Sequence, residues 1–449
     1  MVHIVIIGGG PAGVTAALES ARLGADVTLI EAAHLGGRAT WHSLVPSKVF
    51  LSAAEALTAA HPWLENPPSR PNLDTLRARV RAQAEAQSQR QHHALSQAGV
   101  RLIEAVARFE GPHTLRLEFT AGHSERLDVE RVILATGSEP IFLPGLKPDG
   151  QRLLAPRAMA NLTAWPEHLI MIGGGVTGSE YVSFFSQMGV SITWVTDLPT
   201  FLPRAEPEIA AGLAAAMEAR GVRLYPNAPV AQAENTGSGV RVTLQDGRTL
   251  EGSHAFIAIG RRADTERLNL DYAGVEVTRQ GVVVDDYGRT NQPHIYAIGD
   301  VAGPPYTVNR AQAQARVAVR HALGLPTPPL KANTWVEAVY SDPQVAQVGL
   351  CEDEARRLGY VITVLHAEAA QTLKAHLGNH PQGRLKIIAE ASSGRLLGAA
   401  ALGGHAVEVI NALSLALQAG ATVEHLMQWA PAYPTWGDLV RAAVDGYGV

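Results

Sequence analysis

The amino-acid sequence predicts an α/β protein with two nucleotide-binding units of one kind and a C-terminal α+β domain. The segment from Gly8 to Gly13 reads GGGPAG, and it recurs 165 residues later as GGGVTG, from Gly173 to Gly178. A short apolar run precedes each copy. From about Lys331 the pattern changes to short strands alternating with helices, without a glycine-rich turn. The 449 residues suffice for two to four domains of ordinary size.

Composition and charge exclude several classes of protein. Hydrophobic residues make up 46%, charged residues 18%, and the net charge is -5, so neither disorder nor a nucleic-acid partner is expected. No apolar run approaches the roughly 20 residues of a transmembrane helix. The N-terminal apolar run leads directly into glycines, which predicts a buried strand instead of a signal peptide. The single cysteine, Cys351, excludes an intrachain disulfide, and we expect a cytoplasmic location.

Each glycine-rich turn is predicted to lie in a strand–helix–strand unit. The first copy combines a strand at 3–7, a helix that ends near Gly24 and a strand at 26–31. The second copy repeats this order with strands at 168–172 and 191–196 around a helix that ends near Gly189. Strand, glycine turn, helix and parallel strand form the βαβ unit of a Rossmann-like dinucleotide-binding fold.

The remaining elements are predicted from periodicity and turn signals. The expected elements, in chain order, are a proline-rich connection at 62–71, a helix at 73–98, strands of a small antiparallel layer at 100–109 and 115–119, strands at 132–137, 256–260 and 295–299, and C-terminal strands at 385–389 and 396–402 with a helix at 406–419. The acid Asp300 follows the strand at 295–299, which suggests that the chain returns to the first unit there.

The glycines and the residue after the second strand indicate which nucleotide each unit binds. Glycines permit the tight turn, close approach to a pyrophosphate and close helix–strand packing. Glu31 follows Gly13 by 18 residues, where a carboxylate can bind both ribose hydroxyls. In the second unit that place is taken by Thr196, with Asp197 next and the first arginine only at Arg204. This favours NADH through Asp197, while NADPH, and a solvated loop role for Asp197, stay open.

Further motifs occur in a specific order and spacing. They are Gly36-Gly37, Pro46-Ser47-Lys48, Ala135-Thr136-Gly137, Glu180, Gly260-Arg261-Arg262, Ala297-Ile298-Gly299-Asp300, Asp342-Pro343 and Val348-Gly349. With the two glycine turns and Glu31, these motifs resemble those of the pyridine nucleotide–disulfide oxidoreductases of the dihydrolipoamide dehydrogenase and glutathione reductase type. The resemblance covers essentially the whole chain.

The resemblance implies three domains and two cofactors. It implies an FAD domain at 1–145 and 264–330, an NAD(P)H domain at 146–263, and a homodimerisation domain at 331–449. The residues implied for FAD are Gly8, Gly10, Pro11, Ala12, Gly13, Glu31, Gly37, Lys48, Ala107, Ala135, Thr136, Gly137, Arg262, Gly299, Asp300, Thr307 and Val308. Those implied for NADH or NADPH are Gly173, Gly175, Val176, Thr177, Gly178, Asp197 and Gly260.

The likeness also implies a charge pair at the flavin. Its members are Lys48, which would lie beside flavin N5, and Glu180. A cation there stabilises the charge of reduced flavin, and its carboxylate partner limits the desolvation cost. The alternative for Lys48 is an ordinary surface ammonium at a helix start.

The chain departs from the family where the redox disulfide would lie. Ala39 and Leu44 occupy the two cysteine positions, and neither can form a thiolate or a mixed disulfide. The catalytic histidine before Pro434-Thr435 is replaced by Tyr433, and the following glutamate by Asp438. Tyr433 can donate a hydrogen bond across the dimer interface or simply pack there.

The remaining candidates for a functional role are histidines. His42 lies in the segment without cysteines, where a catalytic role and a packed or surface position are both open. The histidines at 92, 93, 376 and 380 have no consistent partner set, so no metal site is predicted.

These observations predict an FAD-dependent NAD(P)H:acceptor oxidoreductase of quinone-reductase or diaphorase type. Without sulfur at the flavin, the reduced flavin must face a small-molecule acceptor directly, and a flat quinone suits the vacated space. The alternatives are an NAD(P)H oxidase, a transhydrogenase, and a flavin-binding protein that has lost catalysis.

Overall fold

A computed structural model describes residues 2–60, 63, 70–378, 381–445 and 447. The chain forms two compact units: 1–49, 74–141 and 260–331 make the first, and 50–73, 142–259 and 332–449 make the second. Most of the proline-rich connection predicted at 62–71, and His380, lie outside the described residues.

The first unit is built on a five-stranded parallel sheet. Its strand order is Ile295–Ala297, Arg131–Leu134, His3–Ile7, Asp26–Glu31 and Arg101–Glu104. The apolar residues of His3–Ile7 are buried because the strand lies at the centre of a sheet covered on both faces. The helices of this unit are Pro11–Arg22, Gly37–Trp41, Leu73–Gln97 and Val308–Ala322, together with the start of Leu44–Ala60.

A second layer of the first unit is a three-stranded antiparallel sheet of Val106–Gly111, Thr114–Glu118 and Ser124–Asp128. The single strand predicted at 100–109 is wrong, because the chain divides there between two sheets. Ala105, at the division, donates its N–H to the Glu31 carbonyl at 3.1 Å and so ends the parallel pairing. Short strands at Ser138–Pro140, Arg261–Ala263, Val277–Thr278 and Gly281–Val282 and 3-10 turns at Leu270–Ala273 and Gly299–Ala302 complete the unit.

The second unit repeats the first architecture. Its parallel sheet has the order Arg223–Tyr225, Ser191–Val195, His168–Ile172, His254–Ile257 and Leu153–Leu154, and a three-stranded antiparallel sheet is formed by Val230–Asn235, Val240–Leu244 and Thr249–Gly252. Helices Val176–Gln187 and Pro207–Ala219 follow the first and second strands of the repeat, and a 3-10 turn spans Pro156–Asn161.

The likeness of the two copies extends to side chains. His3 Nε2 lies 3.0 Å from Thr28 Oγ1, and His168 Nε2 lies 2.9 Å from Thr193 Oγ1, so one interstrand contact recurs at the same offset of 165 residues. The glycine turns therefore belong to two versions of one scaffold.

The C-terminal part of the second unit is a five-stranded antiparallel sheet flanked by helices. The strand order is Glu337–Val339, Gln344–Gly349, Leu396–Gly403, Gly383–Glu390 and Ile362–Glu368. The helices are Glu352–Arg357, Leu373–Leu377, Ala406–Gln418, Val423–Gln428 and Asp438–Val444, with a 3-10 turn at Ala369–Gln371. The predicted fold class, two Rossmann-like domains and an α+β domain, is confirmed. Within the described residues, every helix is too short or too polar to cross a bilayer.

Candidate functional site

The first glycine turn is crowded on one side and open on the other. Gly8 has a φ of 108°, and a Cβ on Gly13 would lie 1.8 Å from the Gly8 carbonyl oxygen. A Cβ on Gly10 would meet nothing within 4 Å. The helix Pro11–Arg22 starts beside this open space, and the free N–H groups of its first turn favour an anion. The turn therefore fits a pyrophosphate.

Glu31 is held in place at the carboxyl end of its strand. Its Oε2 accepts the Gly9 N–H at 2.6 Å, and its Oε1 accepts the Ala33 N–H at 2.8 Å. Each carboxylate oxygen can accept more than one hydrogen bond. Glu31 can thus support the turn and bind ribose hydroxyls together.

Other predicted residues lie against the same turn. A Cβ on Gly37 would lie 3.0 Å from Gly10 Cα, and a Cβ on Gly299 would lie 3.1 Å from the Ala12 side chain. A Cβ would be crowded at both places, and both glycines have a positive φ, so these segments pack closely on the start of the helix. Asp300 is brought there with Gly299.

Asp300, which the motifs predicted, belongs to a hydrogen-bond network with Ser138, Arg38 and Arg261 that the motifs did not predict. The Ser138 hydroxyl donates to its carboxylate, and Arg261 Nε donates to Ser138 Oγ at 2.8 Å. Arg38 and Arg261 both donate to the Ser138 carbonyl, at 2.7 and 2.9 Å. Burial lowers the pKa of the Arg261 guanidinium. The only sequence signal for Ser138 is its position after Thr136-Gly137.

The remaining predicted FAD residues differ in what they contact. Arg262 points to Glu139 and Glu266, at 2.7 and 2.6 Å, and the neighbouring Arg261 instead faces Asp300. Ala107 is packed in the core of the first unit. 

Two threonines provide polar groups near the expected cofactor. Thr136 Oγ1 donates to the Asp264 carbonyl at 2.7 Å. The Thr307 hydroxyl, directly before the helix that begins at Val308, is buried and has no hydrogen-bond partner among the described residues. An orphaned hydroxyl at a helix start is consistent with a ligand that supplies the partner. The residues of the first unit therefore fit a bound dinucleotide.

The second glycine turn has the same backbone geometry. Gly173 has a φ of 121°, and a Cβ on Gly178 would lie 2.1 Å from its carbonyl oxygen. Space beside Gly175 is open, and the helix Val176–Gln187 begins there. The buried Trp194 indole donates to the Gly173 carbonyl at 2.9 Å. This turn also fits a pyrophosphate, with Val176 and Thr177 in its first helical turn.

Thr196 occupies the place that Glu31 has in the first unit. Its Oγ1 lies 2.8 Å from the Cβ position of Gly174, whereas a Glu31 oxygen lies 3.0 Å from that of Gly9. Thr196 is buried and accepts the Leu198 N–H at 3.3 Å. The exposed Asp197 is therefore the first charged side chain beyond the strand.

The predicted charge pair is divided between the two units. Lys48 Nζ is 3.4 Å from Ser47 Oγ in the first unit. Glu180, in the second, is 5% exposed and accepts the Tyr340 N–H at 3.1 Å. The pairing of Lys48 with Glu180 stays a prediction.

The histidines of the described chain show no clustering with other ligands. Among the residues that the structure describes, no group of three or more His, Cys, Asp or Glu side chains is placed to hold a metal ion. His376 Nε2 lies 2.9 Å from the Ala370 carbonyl, and His92 and His93 are exposed on the long helix.

Comparison with family models covers nearly the whole chain. Residues 2–322 match the pyridine nucleotide-disulphide oxidoreductase model, and residues 336–444 match the dimerisation domain of the same proteins. The chain belongs to this family. It is accordingly an FAD-dependent oxidoreductase that uses FAD and NAD(P)H and carries the family's dimerisation domain.

Relatives of the chain fall into more than one named group. It is 34% identical to an NAD(P)H dehydrogenase (quinone) of Mycobacterium tuberculosis, over 98% of this chain and 93% of the relative. It is 32% identical to a dihydrolipoyl dehydrogenase of Chlorobaculum tepidum, over 98% and 96%. The crystal structure of LpdA from Mycobacterium tuberculosis superposes with a TM-score of 0.94 at 33% identity, covering 99% of both chains. The flavoprotein disulfide reductase RclA from Escherichia coli gives 0.88 at 26%, covering 99% of this chain and 100% of RclA.

Measured against this family, the cysteine positions carry aliphatic side chains. Ala39 lies partly buried in the helix Gly37–Trp41, and Leu44 starts the next helix with 40% of its surface exposed. His42, between them, is partly buried and ends the first of these helices.

Cys351 is placed as a structural residue. It is the N-cap residue of the helix Glu352–Arg357, and its N–H donates to the Glu354 carboxylate at 3.2 Å. Burial raises the pKa of its thiol, which disfavours the reactive thiolate. It lies in the second unit, whereas both positions of the missing cysteine pair are in the first.

The C-terminal motif is likewise rearranged. Tyr433 is 67% exposed in the single chain. The Asp438 carboxylate accepts the Thr435 N–H at 3.1 Å and so closes the turn that leads into the helix Asp438–Val444. Asp438 thus has a structural hydrogen bond of its own.

Proposed function

We propose that this protein is an NAD(P)H:acceptor oxidoreductase that delivers electrons directly to a small molecule, with a quinone as the favoured acceptor. The observation that carries the proposal is the segment from Gly37 to Lys48, which keeps the family's lysine but has Ala39 and Leu44 in place of both cysteines. A thiol relay is chemically impossible there, because alanine and leucine contain no sulfur.

The chemistry that FAD supplies is acceptance of a hydride from the nicotinamide and delivery of two electrons, with protons, to a quinone that becomes a quinol. The chain's residues bind and orient the reactants. The first glycine turn, Glu31 and Asp300 hold one dinucleotide, and the second turn with Asp197 holds the other. Lys48 supplies positive charge, and Glu180 is its expected partner.

The aliphatic side chains at the former cysteine positions suit an apolar, flat acceptor. Leu44 exposes 40% of its surface, so its side chain is accessible to an apolar ligand. Contact with a quinone ring would remove that surface from water. Support also comes from the relative named NAD(P)H dehydrogenase (quinone), which covers the chain almost completely.

NADH is the favoured hydride donor. Asp197 is exposed just beyond the strand and can bind ribose hydroxyls, but it would repel a 2′-phosphate. The nearest arginine along this loop, Arg204, is engaged by Glu337 at 3.0 Å. We further propose that the dimerisation domain forms a homodimer and that Tyr433 lies in or near its interface.

The test uses the purified protein with bound FAD. Anaerobic stopped-flow mixing with NADH and with NADPH should bleach the flavin band, faster with NADH. Benzoquinone and naphthoquinone should then restore the band far faster than they reoxidise free FAD. Rapid turnover of lipoamide or oxidised glutathione, or quinone rates no higher than those of free FAD, would contradict the proposal. Fast oxygen consumption without quinone would instead indicate an oxidase.

The charge of Lys48 is tested separately. Lys48→Ala should retain FAD but slow flavin reduction by roughly ten- to a hundredfold, since a charge that stabilises the developing negative charge is lost. Lys147→Ala, which removes an exposed lysine of the second unit, is the matched control. An unchanged reduction rate in Lys48→Ala would remove the proposed role.

A further inference from the structure

The second glycine turn is closed by a residue in an unfavourable backbone conformation. The Leu202 N–H donates to the Gly174 carbonyl at 2.8 Å, and Leu202 has a φ of 50°. The first turn has the same bond, from the Gly36 N–H to the Gly9 carbonyl at 2.8 Å, but glycine adopts its φ of 94° without steric cost. The surroundings of Leu202 must therefore hold it in this conformation.

The C-terminal domain binds the residues that follow Leu202. Gln347 Nε2 donates to the Arg204 carbonyl at 2.8 Å, and Gln347 Oε1 accepts the Glu206 N–H at 2.9 Å. Glu352 donates its N–H to Glu206 Oε2 at 3.1 Å. Residues of the dimerisation domain thus bind the backbone at Arg204 and both the N–H and the carboxylate of Glu206.

A buried ammonium lies at the centre of this arrangement. Lys386 Nζ is 2.7 Å from Glu206 Oε1 and 2.6 Å from Glu352 Oε2, with Glu208 Oε2 at 3.7 Å. The side chains of Lys386 and Glu206 are only 5% and 4% exposed. Burial alone would lower the pKa of Lys386, but the hydrogen bonds to Glu206 and Glu352 outweigh it and the pKa is raised. Lys386 is therefore charged, and removing it leaves the buried Glu206 carboxylate without its ammonium partner, whereas the partly exposed Glu352 and Glu208 keep Arg356 and Arg384.

We infer that Lys386 is a positioning residue for the nicotinamide nucleotide, although it lies in the dimerisation domain. Through Glu206 it holds the loop from Thr196 to Glu206 in the shape in which Leu202 closes the glycine turn and Asp197 faces the ribose. The inference rests on the proposed assignment of this turn to the nicotinamide nucleotide, and it does not depend on which acceptor is used.

Direct titration of the FAD-loaded protein with NAD⁺ tests the inference. Lys386→Met should raise the Kd of NAD⁺ about tenfold, because variants remote from a ligand that act through a connecting element change affinity by factors of this order. The KM for NADH should rise in parallel, while FAD content and the kcat at saturating NADH stay close to those of the parent. Lys386→Arg, which keeps the charge, should restore most of the affinity.

Two further variants keep the test decisive. Glu206→Gln retains the shape of the partner but not its charge, and it should weaken NAD⁺ binding even where Lys386→Met fails to fold. Arg384→Met is the matched control, because Arg384 lies on the same strand and binds Glu208 at 2.6 Å on the helix after the loop. Its Kd for NAD⁺ should stay within about twofold of the parent value. The inference fails if Glu206→Gln leaves the Kd unchanged, or if both charge variants lose FAD and kcat together with NAD⁺ affinity.

A third variant separates this inference from the proposed function. A side chain at Gly175 has open space, so Gly175→Glu should fold and place a carboxylate where the pyrophosphate is expected. Loss of NAD⁺ binding in Gly175→Glu with normal binding in Lys386→Met and Glu206→Gln would sink the inference alone. Normal binding in Gly175→Glu would overturn the assignment of the turn itself.

Discussion

The two glycine turns of this protein share a backbone but are stabilised by different side chains. In the first, the Glu31 carboxylate accepts the N–H of the middle glycine. In the second, Thr196 fills the corresponding space, and the indole of Trp194 binds the carbonyl of Gly173 instead. The glycines and the parallel sheet therefore set the turn geometry. The neighbouring side chains can differ between the two turns without changing that geometry.

The closing residue differs in the same way. Gly36 adopts a positive φ freely, whereas Leu202, with a φ of 50°, is buried within a loop whose end is bound by the C-terminal sheet. A glycine closes the first turn without steric cost, whereas the loop that closes the second is bound at its end by Gln347, more than a hundred positions along the chain. Variants that alter each turn should reveal this asymmetry.

The largest effect is expected at Glu31. Glu31→Gln removes a charge that binds two N–H groups and is expected to bind the ribose, so the Kd for FAD should rise roughly a hundredfold. FAD fluorescence on titration of the apoprotein measures it. Asp26→Asn, at the exposed opposite end of the same strand, serves as the control. Equal FAD affinity in both variants would show that the carboxylate does not bind the cofactor.

Gly36→Ala should have the second largest effect. The added Cβ would lie 2.3 Å from Thr40 Oγ1 in a backbone conformation that alanine disfavours. We expect about 1–3 kcal/mol of destabilisation, observed as faster FAD release and lower thermal stability. Gly111→Ala, where a Cβ meets nothing within 4 Å, should be close to neutral. A neutral Gly36→Ala would mean that the first turn tolerates strain as the second does.

Thr196→Glu would make the second turn resemble the first. The new carboxylate can accept the Gly174 N–H and the ribose hydroxyls, and it would repel a 2′-phosphate. The preference for NADH over NADPH, measured as the ratio of kcat/KM values, should rise about tenfold. Thr249→Glu adds the same charge on an exposed strand and should leave the ratio unchanged. A fall in the ratio would indicate that a residue other than the one at position 196 distinguishes the ribose of NADH from the 2′-phosphate of NADPH.

The smallest expected effect is on the pH dependence of stability and concerns His168, the second of the two repeated histidines. Burial, followed by the charge of Arg223, lowers the pKa of His168 below 6.5. The folded state therefore favours the neutral ring, whose Nε2 accepts from Arg223 at 3.0 Å, and stability is lost as the pH falls below about 6.5. His168→Gln should show a smaller loss of Tm between pH 8 and pH 5.5 than the parent does. An equal or larger loss would assign the acid sensitivity elsewhere.

Sequence patterns predicted the parts of the structure that depend on local geometry. Both glycine turns, the strand before each and the C-terminal α+β domain follow from glycine spacing and apolar periodicity, because those constraints act within a few residues. The sequence does not predict the division of the strand at 100–109, since it lies where Ala105 meets the Glu31 carbonyl, a contact between distant segments.

The parts that could not be predicted depend on contacts between distant segments. Lys386 and Glu206 lie 180 positions apart, and nothing in either local sequence marks them as partners. The same holds for Ser138 with Asp300, which are 162 positions apart. Such pairs become visible only when the fold places their strands and loops together.

The divided first unit has a consequence for how the protein is made. The strand Ile295–Ala297 is the outer neighbour of Arg131–Leu134, yet it is synthesised after all of residues 142–259. At roughly 5–20 residues per second, the nascent chain carries an unpaired sheet edge for several seconds or longer. Because Gly299 and Asp300, which follow this strand, are proposed to bind FAD, that proposal implies that FAD binds only after residues 142–259 have been synthesised.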